Sequence, residues 1–203
     1  MIAFPPHSPG LRIGLLGGSF NPAHDGHRLA SLTALRKLGL DQVWWLVTPG
    51  NPLKDNRALP SQAARISAAE RVSRHPRITV TGIEARLGTR FTTETLASLR
   101  LRCPGVRFVW LMGSDNLAQF HRWQNWRGIA RLMPIAVIDR PGTTHKSLRS
   151  CAALALAHWR LDETDGLLLP TRSAPAWMFL HGRRSHLSST MLRQALKPDT
   201  SKR

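Results

Sequence analysis

Short apolar runs of strand length alternate with helically spaced segments along nearly the whole of this chain, and that alternation most restricts its fold. Strand-like runs fall at 12–16, 42–47, 78–81, 106–112, 134–138 and 176–180. Helical spacing falls at 28–38, 61–73, 93–102, 114–120, 126–132, 148–159 and 189–196. Repeated strand–helix units predict an α/β, Rossmann-like doubly wound parallel sheet of about five to six strands with helices on both faces. Sheets of this kind bind ligands outside the carboxyl ends of the strands, near the point where the strand order reverses.

The first strand-to-helix turn carries the densest chemistry. Gly17-Gly18-Ser19-Phe20-Asn21-Pro22 is followed by His24-Asp25-Gly26-His27, and Leu29, Leu32, Leu35 and Leu38 then run at helical spacing. Unpaired N–H groups and the positive dipole end at a helix N-terminus attract phosphate, and glycines let it approach the backbone. Two histidines three apart lie on one side of the first helical turn, where their ring N–H groups can donate to one polyphosphate. A zinc site fits less well: Cys103 and Cys151 are isolated, and no Cys-x-x-Cys or His-Glu-x-x-His spacing occurs. Neither a Walker A loop nor a Gly-x-Gly-x-x-Gly fingerprint is present.

A chain of 203 residues with 42% hydrophobic content can bury one good core, which predicts a single domain over 1–203 with flexible ends at 1–10 and 197–203. Residues 1–10 lack the basic and apolar regions of a secretory signal. No apolar run approaches the roughly 20 residues of a membrane helix, so no membrane partner is expected. Two well-separated cysteines form no disulfide framework, and the expectation is a cytoplasmic protein. Composition sets no oligomeric state. The net charge of +17 is mostly arginine spread from Arg12 to Arg203, without an RNP pattern, a zinc finger or a lysine-rich arm. It predicts affinity for small polyanions and no specific nucleic acid; a basic nucleic-acid-binding domain is the alternative from another class.

Three further polar clusters fall at predicted strand ends or at the start of the last helix. They are Asn51-Pro52-Leu53-Lys54, Gly113-Ser114-Asp115-Asn116 and Ser188-Ser189-Thr190-Met191-Leu192-Arg193. Each has a bland reading, Ser188 or Ser189 as a helix N-cap and Asp115 as a cap or turn carboxylate. Together with the first motif and Phe120-x-x-Trp123, in this order and at these intervals, they resemble the bacterial nicotinate-nucleotide adenylyltransferases. Those enzymes belong to the nucleotidyltransferases that share a His-x-Gly-His or Thr-x-Gly-His loop. The resemblance spans about 12–196. It departs at Thr92-Thr93-Glu94-Thr95, where the family often has Thr-Tyr-Asp-Thr.

The resemblance implies transfer of the adenylyl group of ATP to nicotinate mononucleotide, releasing pyrophosphate, with magnesium carried by the ATP phosphates. It also implies the roles. His24 and His27 bind the ATP phosphates, His27 at the α-phosphate, while Lys54 and Arg193 hold the β- and γ-phosphates. Gly17, Gly18, Ser19, Phe20, Gly26, Gly113, Asp115, Ser188, Ser189 and Thr190 complete the ATP site, with Asp115 accepting from a ribose hydroxyl. Asn21, Thr92 and Trp123 face nicotinate mononucleotide, Trp123 against the ring; the bland reading packs Trp123 with Trp126 on a buried helix face. No metal-ligating protein residue is expected, since only 12 Asp and Glu occur in the chain. Pantetheine-phosphate adenylyl transfer is the alternative within the superfamily.

Overall fold

The computed structural model describes residues 2–50, 57–182, 189, 192 and 193. Seven strands form one sheet: β1 (Arg12–Gly18), β2 (Gln42–Val47), β3 (Ile78–Thr81), β4 (Arg107–Gly113), β5 (Ile135–Ile138), β6 (Arg160–Leu161) and β7 (Trp177–Leu180). They lie in the order β3-β2-β1-β4-β5-β7-β6, every pair parallel. The sheet is therefore one strand larger than the five to six expected. The addition, β6, is two residues long at the edge, too short to leave a periodic signal in sequence.

Among the described residues eight α-helices accompany the sheet: α1 (Asp25–Lys37), α2 (Gln62–Ser73), α3 (Ile83–Leu87), α4 (Thr92–Arg102), α5 (Ser114–Leu117), α6 (Trp126–Leu132), α7 (Thr144–Leu148) and α8 (Cys151–Ala155). The helix expected over 148–159 is broken: α7 and α8 are followed by a 3-10 turn at Ala157–Trp159. Ser150 starts α8 by accepting from the Ala153 N–H, which separates it from α7. No helix among the described residues is long and apolar enough to cross a membrane.

Val43 to Val47 of β2 are all fully buried, because a strand covered by helices on both faces has no side that can afford polar residues. Successive side chains divide between the faces. Ile13, Leu15, Trp44, Leu46, Trp110 and Met112 pack with Ile83, Leu96, Leu99, Ile129 and Ala152 from α3, α4, α6 and α8. Leu16, Val43, Trp45, Val47, Val109 and Leu111 pack with Ala30, Ala34 and Leu35 of α1 and Ala69 of α2. Each large side chain removed from water contributes about 1.5–3 kcal/mol, so the two layers fix the sheet that carries the loops. The winding reverses between β1 and β4, and their carboxyl ends, Gly17-Gly18 and Met112-Gly113, flank the crevice.

Candidate active site

At the β1–α1 turn Phe20 has a φ of +47°, a left-handed backbone unusual for a side chain of its size. Its ring is buried, stacked on Trp45 at 5.0 Å between centroids and 15° between planes, with His27 at 4.8 Å on it. The stacking holds the turn despite the backbone. The next peptide, Asn21-Pro22, is cis.

His24 is the N-cap of α1 and is buried. Its Nδ1 accepts the Gly26 N–H at 3.1 Å, and His27 Nδ1 accepts the His24 N–H at 3.3 Å. A backbone N–H can only donate, so both imidazoles carry their proton on Nε2 when neutral. Burial and then the positive charge of Arg140 lower the His24 pKa to about 4. Burial, followed by His24 and Arg140, holds His27 well below its usual range. Both rings are thus neutral N–H donors at physiological pH. His24 Nε2 is buried without a hydrogen-bond partner among the described residues. The pair is braced from β2, where the Trp45 indole donates to Ser31 Oγ at 2.8 Å and Ser31 donates to the His27 carbonyl at 2.9 Å.

Gly17 and Gly18 end β1, but close approach of a ligand is not what Gly17 needs a hydrogen for. A Cβ at Gly17 would lie 2.4 Å from the Trp110 ring. Across the reversal, a Cβ at Gly113 would lie 2.3 Å from Asp115 Oδ1 and 2.7 Å from Arg140 Nε, whereas those two atoms form an ion pair at 3.4 Å. Arg140, placed by the end of β5, is not singled out in sequence; its signal is its position just past the strand next to β4. The 140–146 loop is pinned. Ser114 Oγ accepts the Arg140 N–H at 2.9 Å and lies 2.6 Å from Thr143 Oγ1, and Thr144 donates to buried Asp139 at 2.6 Å.

The carboxyl ends of β1 and β2 share a second unforeseen residue. Arg65, 3% exposed, donates to the carbonyls of Pro60, Ser19, Thr48 and Pro49 at 2.8–3.1 Å. Its position in a helical apolar pattern gave no hint of this, since the four acceptors come from three separate stretches of backbone.

The C-terminal motif does reach the first one. Ser189 Oγ donates to the Pro22 carbonyl at 2.9 Å, and the Arg193 guanidinium donates to the Asn21 carbonyl. Lys54, Ser188 and Thr190 lie outside the described residues. Thr92 opens α4, and Thr93 Oγ1 donates to the Gln124 carbonyl at 3.2 Å, drawing the start of α4 to Trp123. Glu94, the departure from the family pattern, accepts from the N–H groups of Arg90 and Phe91 and so caps α4. Trp123 and Trp126 do not share one buried helix face. Trp126 is buried in α6, whereas Trp123 precedes that helix and is half-buried, edge-on to Phe120 at 5.5 Å and to Trp110 at 6.4 Å.

A family model described as cytidylyltransferase-like matches residues 15–195. A Rhizobium meliloti protein named "Probable nicotinate-nucleotide adenylyltransferase" is 56% identical over 185 residues, 91% of this chain and 98% of that protein. The chain belongs to the nicotinate-nucleotide adenylyltransferase family. A Brucella suis protein of the same name is 54% identical over 194 residues, covering 95% of this chain and all of that one. The adenylyltransferase fold is shared at much greater sequence distance. The Plasmodium falciparum nicotinic acid mononucleotide adenylyltransferase complexed with NaAD has a TM-score of 0.66 at 16% identity, over 93% of this chain and 85% of that one.

Proposed function

We propose that this adenylyltransferase-family protein moves the adenylyl group of ATP to nicotinate mononucleotide, forming nicotinate adenine dinucleotide and pyrophosphate. The observation that carries the reading is the pair of neutral imidazoles at the β1–α1 turn, one with a buried Nε2–H that has no partner among the described residues. The acceptor's phosphate is already an anionic nucleophile at neutral pH and needs no general base. What it needs is alignment with the α-phosphate and stabilisation of charge as pyrophosphate departs. Neutral N–H donors supply that stabilisation without first burying an imidazolium.

In this reading His24 and His27 donate to the ATP phosphates, His27 at the α-phosphate, and Lys54 and Arg193 hold the β- and γ-phosphates. Arg140, whose charge acts on both imidazoles, adds fixed positive potential beside them. Gly113 and Asp115 line the nucleoside side, and Asn21, Thr92 and Trp123 receive the pyridine nucleotide. The donor set suits a magnesium ion that arrives on the triphosphate: Asp115 is engaged by Arg140, and the histidine Nδ1 atoms are taken by backbone N–H groups. Held by phosphate oxygens and water, such an ion would neutralise charge on the departing pyrophosphate.

The test is pyrophosphate release from ATP and magnesium with nicotinate mononucleotide, nicotinamide mononucleotide and phosphopantetheine offered separately at equal concentration. The nicotinate form should be preferred. Preference for phosphopantetheine would move the protein within its superfamily, and release with none of the three would overturn the reading.

A further inference from the structure

Part of the chain's +17 charge gathers at the end of the sheet away from the crevice. A pocket of about 250 Å³ lies at the amino ends of β4, β5 and β7, and four arginines line it: Arg100, Arg107, Arg131 and Arg172. They come from separate stretches of chain. Arg100 and Arg131 sit in the last turns of α4 and α6, Arg107 begins β4, and Arg172 follows the 3-10 helix Glu163–Thr171. Buried Phe108 and Met133 are also in the lining. Gly113, beside the crevice, is at the other end of β4 from Arg107, about 20 Å away along the strand.

Helix ends account for part of this cluster and leave the rest. An arginine in a last turn offsets the negative end of the helix dipole, and Arg100 donates to the Leu132 carbonyl at 2.9 Å, capping α6 from α4. That bond takes one of the five N–H groups of Arg100. Arg107 and Arg172 lie in no α-helix, and their guanidinium groups, like that of Arg131, have no hydrogen-bond or ion-pair partner among the described residues. No described aspartate or glutamate lines the pocket. Carboxylates pair elsewhere, Asp41 with Arg12, Asp115 with Arg140 and Glu163 with Lys37. Four like charges converging on one hollow repel one another while its apolar walls focus their field, and an anion that enters relieves the repulsion.

We propose that this pocket is a second anion site, which binds the oligophosphate group of a small molecule, either inorganic pyrophosphate or the phosphate chain of a nucleotide. Guanidinium forks match phosphate oxygens two at a time, and four of them call for more negative charge than a single phosphate carries. Ser173, in the same lining, adds a hydroxyl that has no partner among the described residues. Shape separates this ligand from a nucleic-acid strand. The arginines converge on one hollow, whereas a strand is tracked by charge drawn out along a groove or a face. The site does not depend on the adenylyl-transfer reading, since none of its residues belongs to the crevice.

The experiment titrates inorganic pyrophosphate, and separately ATP, into the protein at about 0.15 M salt, counting sites by calorimetry and locating them by NMR of labelled methionine methyls. Met133 lines the pocket, and Met112 lies next to Gly113 at the crevice. Wild type is compared with the double variant Arg131→Ser, Arg172→Ser, both exposed positions, and with Arg107→Gln should the double variant fail to fold. Pyrophosphate or ATP should move the Met133 signal of wild type. The variant should lose that site or bind there about tenfold more weakly or worse, with the Met112 response the same in both proteins. Tighter binding of pyrophosphate at Met133 makes the free anion the ligand, and tighter binding of ATP makes it a nucleotide. A Met133 signal that stays still with both, that moves as far with sodium chloride at matched ionic strength, or that responds alike in wild type and variant overturns the site. So does a single-stranded oligonucleotide that displaces pyrophosphate from Met133 and binds more tightly, which gives the pocket to nucleic acid.

Discussion

His24 and His27 are neutral because burial and the charge of Arg140 make an imidazolium costly at the start of α1, itself a site of positive dipole. Removing one ring should therefore remove a donor rather than a charge. His27→Ala should lower kcat by about a hundredfold or more, with KM for ATP changing less and the circular dichroism spectrum unchanged. Near-normal turnover would take His27 out of the chemistry. Gly113 makes a different kind of prediction, because its missing side chain leaves room for the Asp115–Arg140 pair. Gly113→Ala should push that pair apart and raise KM for ATP by about tenfold, with little change in urea midpoint; unchanged kinetics would show that the pair does not bear on binding.

The loops at the crevice are positioned by elements, and Arg65 shows how. Projecting from α2, it collects the Ser19, Thr48 and Pro49 carbonyls past the ends of β1 and β2 and the Pro60 carbonyl just before its own helix. Arg65→Met keeps the length and apolar stem but takes the guanidinium donor from four part-buried carbonyls. It should cost about 3 kcal/mol in denaturant unfolding and weaken turnover together with stability. A variant as stable as wild type would mean that water replaces the guanidinium. The helical pattern of 61–73 was legible in sequence, and so was the strand-to-helix handover at His24. The function of Arg65 was not, because its partners are backbone atoms, which leave no trace in residue identity.

Over the whole molecule, buried titratable groups oppose one another as pH falls. Glu84 has a folded pKa raised to about 7, so its contribution is full below its unfolded value and is lost as pH rises toward 7. His24 has a folded value lowered to about 4, so its contribution is present above its unfolded value and is lost as pH falls toward 4; His27 acts in the same direction. Between pH about 6.5 and about 4.5 two histidines destabilise while one carboxyl stabilises, so wild type should lose stability on acidification. Glu84→Gln lacks the opposing gain, and relative to its own value at pH 8 it should lose about 3 kcal/mol more than wild type by pH about 4.5. Parallel melting-temperature curves for the two proteins would contradict the raised pKa.

Apolar periodicity alone determined the parallel α/β architecture, and the order of motifs determined which family the chain resembles. Both are written in residue type along the chain, since burial on two faces demands continuous apolar runs and phosphate chemistry demands glycine, histidine and cationic side chains at a helix start. Only the tertiary structure decided how Arg193 and Ser189 reach Asn21 and Pro22 across the length of the chain, and that Arg140 belongs beside the histidines. It also decided that Gly17 makes room for an indole. These depend on which carboxyl ends meet at the strand reversal and on where hydrogen-bonding groups lose water. Both are properties of packed layers and long-range closure rather than of local pattern.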